Sequence, residues 1–460
     1  MIIIIILTAL GMLTMFGGVF NFRKLLMPLI TVGLLAAIGV AIYEWNNPLS
    51  IENKFPLMMR IDNYAIAFSV IALFTTLLLL FIFNNIYGAT EVHLAEVYAI
   101  LIFSLVGVVV MMSFTNLLML FLGIEILSVA LYVLAGLRKK DLRSNEAAMK
   151  YFLMGAFSTG FLLMGITLVY GVTTSFDLNT IRIFTETNHG AMPMMLMSGI
   201  ILILVGLLFK VAAFPFQFWT PDVYESSPTI ITAFMATVGK IASFAAFFRI
   251  MICFSSASEN YHHVIYVVSI LTMLIGNIIA IQQSSVKRML AYSSIAHAGY
   301  MLMAIIAINN GTSVNTLLFY SAAYAFASVV SFSVVAIVQE KTDNDAHDAF
   351  NGIGKKSPLL GVIMTVAMLS LSGIPVTAGF FAKFFIFSAA LQNGYVWLVV
   401  AGVISSAIGV YYYLRPVISM WFRDGEAEIK LDTTLKIIFV LLTVCTLVLG
   451  VLPGLLNGIL

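Results

Sequence analysis

The 460 residues are 61% apolar and only 10% charged, with a formal net charge of +2, whereas a soluble domain carries about 25% charged residues. Water is therefore not this chain's main solvent, and neither a basic nucleic-acid footprint nor an acidic tail is present. The two cysteines, Cys253 and Cys445, lie in apolar runs with no Cys or His at ligand spacing, so neither a disulfide framework nor a metal site is indicated and both read as structural filler.

The start MIIIII has no basic stretch before it and no small-residue cleavage site, so it reads as the first membrane helix rather than a removed signal. A helix crossing hydrocarbon needs about 20 mainly apolar residues, because only internal hydrogen bonds satisfy its backbone there. That template fits about fourteen times, at 2–21, 25–43, 63–84, 93–112, 114–136, 149–171, 194–220, 228–252, 263–282, 289–308, 315–338, 357–391, 395–420 and 434–456. One set of alternate loops holds Arg23, Lys24, Arg138, Lys139, Lys140, Arg143, Lys287, Arg288, Lys341, Lys355, Lys356, Arg423, Lys430 and Lys436; the other holds only Lys54, Arg60 and Arg182. Basic loops stay cytoplasmic, so both termini are expected on the non-cytoplasmic side.

Six basic residues fall inside spans: Lys150, Lys210, Lys240, Arg249, Lys383 and Arg415. Arg249 and Arg415 sit near span ends and read as snorkelling to the headgroups. Lys150 is intermediate, about two turns past a basic loop. Lys210, Lys240 and Lys383 sit well inside, where a charge costs roughly 2.5–3.5 kcal/mol on insertion scales, so each implies a hydrated or charge-paired site.

Two spans contain a proline that removes a helical hydrogen bond, and such breaks survive in a membrane only when buried or beside water. One follows Lys210 and contains Pro215; the other contains Pro375 and Gly379 and leads to Lys383. They are spans seven and twelve, five helices apart and thus of opposite orientation, as in an inverted repeat whose ion sites form where discontinuous helices meet. The expected organisation is 1–90 for three N-terminal helices, 91–252 and 253–420 for two five-helix repeats, and 421–460 for the last helix.

One acid lies deep in a span, Glu125 in FLGIEILS, and is expected to pair with Lys210 from another helix. His297, in YSSIAHAGY, occupies the corresponding span of the second half; it titrates near neutrality and suits a bridge between lysines, although a packing histidine among hydroxyls would look the same. Desolvation makes buried lysine a proton carrier whose charge an approaching carboxylate restores. Span 315–338 has no charge, so the stretch from His297 to Lys383 requires water and hydroxyls such as Tyr320, Ser321 and Tyr324. Asp222 and Glu225 read as solvated loop charges.

The strings FPFQFWTPDVYESSP at 214–228, SSVKRMLAYSSIAHAGYML at 284–302, LSGIPVTAGFFAKF at 371–384 and MKYFLMGAFSTGFLLMGI at 149–166 resemble the N-type antiporter-like subunit of proton-translocating NADH-quinone oxidoreductase, respiratory complex I. The resemblance implies an all-α polytopic membrane protein of fourteen helices with two inverted five-helix repeats, each with a broken helix, set beside sister antiporter-like subunits in the membrane arm. It implies that Glu125 and Lys210 are the paired glutamate and lysine, Lys240 the central lysine, Lys150 the lysine opening span six, His297 the bridging histidine and Lys383 the exit-side lysine. Flavin, iron–sulfur clusters and quinone are then expected in partner subunits and none in this chain, with the bacterial inner membrane as its location. A subunit of a multi-subunit sodium/proton antiporter shares the broken helices and buried lysines. A subunit of membrane-bound hydrogenase or formate-linked complexes is a more distant reading, and a solitary solute transporter is disfavoured by the spread of the lysines.

Overall fold

The computed structural model describes residues 1–20, 22–45, 57–88, 91, 93–188, 192–308 and 313–460, and the regular elements among them are helices. Lys54 lies outside the described residues. In chain order the helices are α1 (Ile2–Val19), α2 (Arg23–Glu44), α3 (Asn63–Tyr87), α4 (Leu94–Ser113), α5 (Leu117–Ala135), α6 (Leu142–Thr173), α7 (Leu178–Thr187), α8 (Met194–Val211), α9 (Trp219–Ser226), α10 (Thr229–Phe234), α11 (Lys240–Cys253), α12 (Ser258–Ile281), α13 (Val286–Ile306), α14 (Ser313–Thr342), α15 (Ile353–Lys356), α16 (Pro358–Ser372), α17 (Ala378–Gln392), α18 (Val396–Phe422) and α19 (Thr433–Val451). Thirteen helical stretches among the described residues are long and apolar enough to cross a membrane, α10 and α11 counting as one. The predicted crossing at 357–391 is instead two apolar halves, α16 and α17, of 15 residues each.

Local chemistry moves several boundaries. The side chain of Asp141 accepts from Arg143 N and starts α6 at residue 142, well ahead of the predicted 149. Likewise Asn116 caps α5 and Ser285 caps α13, the latter accepting from Arg288 N. The seventh span stops at Val211 rather than 220, because Ala212 turns to φ +60° just ahead of Pro215. Between α10 and α11 residues 235–239 form a π-helical turn that hydropathy does not reveal.

Packing divides the chain into two units. The first comprises Met1–Leu80, Thr90–Val211 and Val238–Val264; the second comprises Phe81–Ala89, Ala212–Thr237 and Ile265–Leu460. In the first, α1 packs on α2 and α4, α4 on α5, and α6 on α8. In the second, α13, α14, α16, α17, α18 and α19 pack around the second helix break.

Candidate functional site

In the first unit α5 presents Glu125, Ser128 and Tyr132, spaced so that all three share one helix face. Lys210, in the last turn of α8, is 8% exposed and donates from Nζ to Ser128 Oγ at 2.5 Å. The faces of Tyr132 and Tyr151 each lie 5.9 Å from that nitrogen, close enough for cation–π attraction. Gly155 on α6 makes this possible, since a Cβ there would stand 2.0 Å from the Tyr132 hydroxyl. The expected Glu125–Lys210 ion pair is not closed: Glu125 Oε1 is buried with no hydrogen-bond partner among the described residues, and the hydroxyl one turn further along α5 takes the ammonium instead. Ser128 in turn donates to Ile124 C=O, which leaves its lone pairs for Lys210.

Lys240 opens α11 immediately after the π-helical turn and is 2% exposed. π-Turns inside α-helices cluster at functional sites, because the inserted residue re-aims the side chains that follow. Lys150 stands half-exposed on α6 and pairs with Glu146 one turn before it at 2.7 Å; its neighbour Tyr151 is the residue that faces Lys210.

In the second unit, Lys383 on α17 is 6% exposed and donates to Ser372 C=O at 2.7 Å and Ser406 Oγ at 2.9 Å, with the Tyr300 ring 5.0 Å away. The Ser372 carbonyl ends α16, so the ammonium faces the negative end of a half-helix. The break is built residue by residue. Gly373 takes φ +86°, Val376 is held at φ +74°, a rare conformation for a β-branched residue, and Gly379 lets the two halves cross. A Cβ on Gly379 would stand 1.7 Å from Ser370 O.

His297 on α13 is 4% exposed, with Nδ1 2.6 Å from Tyr320 Oη and Nε2 3.1 Å from Tyr413 Oη, and Tyr413 also bonds Ser293. Of the hydroxyls expected to continue toward Lys383, only Tyr320 reaches the histidine; Ser321 Oγ and Tyr324 Oη are buried without a hydrogen-bond partner among the described residues. Lys383 instead meets α18, which sequence reading did not consider because that face carries hydroxyls and no charge.

Four further expectations change. Arg249 does not snorkel: it pairs with Asp62 at 2.6 Å and lies 4.9 Å from the Tyr64 ring. Arg415 donates to Ile281 C=O and Gln283 C=O at 2.8 and 3.1 Å, completing the end of α12. Asp222 and Glu225 keep 39% and 36% of their side chains exposed and both also pair with Arg288. Lys287, assigned to a basic loop, is 2% exposed and donates to Glu225 C=O and Ser227 C=O. Glu44, just past a predicted span end, is a buried acid that sequence reading missed.

The family model described as NADH:quinone oxidoreductase/Mrp antiporter, transmembrane, matches residues 114–409, a range that holds Lys150, Lys210, Lys240, Lys383 and both helix breaks. The NADH-quinone oxidoreductase subunit N of Flavobacterium psychrophilum is 41% identical over 98% of this chain and 98% of its own. Among solved structures, a chain of respiratory complex I from Thermus thermophilus with bound aureothin superposes with a TM-score of 0.84 at 32% identity, covering 98% of each chain. A chain of the Mrp complex from Dietzia sp. DQ12-45-1b gives a TM-score of 0.83 at 18% identity over 98% of this chain and 95% of its own, a likeness of fold alone.

Proposed function

This chain belongs to the NADH:quinone oxidoreductase/Mrp antiporter family, and from that premise we propose that it translocates protons through Glu125, Lys210, Lys240, His297 and Lys383. It is an antiporter-like membrane-arm subunit of NADH-quinone oxidoreductase, set among other membrane-arm subunits, and quinone reduction elsewhere in the complex drives it. One observation carries the proton reading. Lys210 and Lys383 are more than nine-tenths buried, each lies beside a helix break, and each donates to serine hydroxyls or carbonyls with no carboxylate in ion-pair range among the described residues. An ammonium held so weakly can release its proton, whereas one locked in a buried ion pair is a structural charge.

Lys210 receives its proton while Ser128 and two tyrosine faces hold it, and gains its full charge when Glu125 closes on it. Lys240 follows as the next carrier, His297 and Tyr320 relay in the second unit, and Lys383 delivers at the second break. Lys150, paired with Glu146, stands at the lateral margin of the path. Pro215, Pro375 and Gly379 serve by opening the helices. Flavin, iron–sulfur clusters and quinone belong to partner subunits, and the chain resides in the bacterial inner membrane with both termini away from the cytoplasm, as the basic loops require.

Purification by an affinity tag on this chain brings down flavin and iron–sulfur subunits; recovery of small membrane partners alone favours the sodium/proton antiporter. In proteoliposomes carrying the whole complex, Lys210→Ala and Lys240→Ala each lower NADH-driven pumping several-fold, and coupling lowers quinone reduction with it. An unchanged proton-to-electron ratio in both variants removes these lysines from the path.

A further inference from the structure

Two sides of His297 lead toward Lys383 within the second unit. On one side lies a cavity lined by His297, Tyr320, Tyr324, Ser370, Gly379 and Ala382, with room for about one water. The Tyr324 hydroxyl on its wall is buried beside the Ser294 and Ser328 hydroxyls and closes no hydrogen bond of ordinary geometry among the described residues, and a water seated there would supply one. On the other side is α18, where the pair Ser405 and Ser406 recurs as Tyr412 and Tyr413 after two turns, about 10 Å along the axis. Asn277 of α12, 2% exposed, spans that gap: Nδ2 donates to Ser405 Oγ at 2.7 Å, and Oδ1 accepts from Tyr412 Oη at 2.7 Å. Gly409 leaves it room, since a Cβ there would come 3.2 Å from Oδ1.

At first sight α18 offers the better wire, because its hydroxyls run from His297 at Tyr413 to Lys383 at Ser406. The hydrogens decide otherwise. Tyr412 gives its hydrogen to Asn277, Ser405 gives its own to Met273 C=O at 2.9 Å, and Ser406 gives its own to Ser372 C=O at 3.2 Å. Asn277 sends its amide hydrogens to Met273 C=O and Ser405, with Tyr300 Oη a longer contact at 3.4 Å. A hop requires a group that accepts on one side and releases on the other, and an amide keeps its donor nitrogen and acceptor oxygen fixed. We propose that Asn277 makes the α18 side proton-tight, so that exchange between His297 and Lys383 runs through the cavity beside Tyr324. Asn277 is then a positioning residue: it pins Ser405 and Tyr412, the chain neighbours of the two hydroxyls, Ser406 and Tyr413, that meet Lys383 and His297. A proton leaving His297 Nδ1 passes to the Tyr320 oxygen, Tyr320 releases its own hydrogen to the cavity water, and that water gives one up to the Lys383 nitrogen when that amine is neutral and has a free lone pair.

This inference rests on the proton reading above, and the experiment separates the two. The complete oxidoreductase carrying Tyr324→Phe, Tyr412→Phe, Asn277→Asp or Lys383→Ala is reconstituted in proteoliposomes, with assembly checked by native electrophoresis and pumping read across pH. Tyr324→Phe removes the hydroxyl that holds the cavity water and is expected to lower the proton-to-electron ratio at least about threefold, as loss of a proton-carrying group does, while Tyr412→Phe stays at the wild-type ratio. Asn277→Asp, which places a group able to accept and release a proton in the wall, is expected to change the pH profile of pumping. A silent Tyr324→Phe beside a defective Tyr412→Phe overturns the inference and makes α18 the route, and so does a wild-type pH profile in Asn277→Asp. Normal pumping in Lys383→Ala fails the underlying reading and takes this inference with it.

Discussion

An ammonium with three hydrogens and one hydroxyl acceptor is poorly satisfied, and that describes Lys210 beside Ser128 among the described residues. Removing the hydroxyl leaves the Glu125 carboxylate as the next acceptor, so Ser128→Ala is expected to close the ion pair and hold the lysine charged. Pumping then falls while the complex still assembles, and Ser128→Thr, which keeps the hydroxyl, restores it; equal loss in both variants assigns Ser128 to packing alone. Arg249 is the opposite case. Its guanidinium closes on Asp62, which also caps α3 by accepting from Ala65 N, and it covers the Tyr64 ring, whose hydroxyl donates to Ala245 C=O on α11. Arg249→Ala strands a partly buried carboxylate and is expected to cost about 1–3 kcal/mol, seen as earlier thermal release of this subunit from the detergent-solubilised complex. A snorkelling arginine would give no shift. Sequence alone could not tell these cases apart, because an arginine near a span end looks the same whether an acid on another helix meets it or not.

At the scale of elements, the second break depends on two half-helices crossing at Gly379. Gly379→Ala drives a methyl against Ser370 O, and Lys383, which holds the end of α16 through Ser372 C=O, moves with whichever half yields. Loss of pumping is expected there, whereas Gly160→Ala, at a helical position with nothing within 4 Å of an added Cβ, is expected to be silent. A loop outside the spans gives a pH test. His347 is buried, and burial first, then the Arg415 charge, pushes its pKa down to about 4. The opened loop binds a proton below about pH 6.5 while the docked loop stays neutral down to about 4, so docking is fully stable above pH 6.5 and weakens as pH falls toward 4. Hydrogen exchange at His347 and Val286, whose amides bond Ser284 O and Asp345 O, should speed up over that window after correction for intrinsic rates, and His347→Gln should flatten the response. Both breaks were legible in the sequence, because Pro215 and Pro375 remove a backbone donor wherever they stand. The π-helical turn before Lys240 was not, since MATVG has ordinary helical composition and the register shift comes from tertiary packing.

For the whole molecule, hydropathy located the crossings because each is a sum over some twenty residues, and errors in single residues average out. Partner choice has no such averaging: whether Lys210 meets Ser128 or Glu125, and whether Lys383 meets α14 or α18, is settled by one helix's rotation against another. What remains is whether the two lysine clusters act in turn or separately, and kinetics answers that without any statement of geometry. Groups on one path are non-additive, because once a step is blocked a second block removes nothing further. If Lys210 and Lys383 serve one proton, then Lys210→Ala with Lys383→Ala should pump no worse than the slower single variant, measured as the proton-to-electron ratio in proteoliposomes. Two independent paths would instead subtract, and the double variant would lose the sum of the two single losses. Because a pair on one path is also limited by its slower member, mild variants such as Lys210→Arg should be masked in the Lys383→Ala background and visible in the wild type. A Lys210→Arg defect of equal size in both backgrounds would show that each unit carries its own proton.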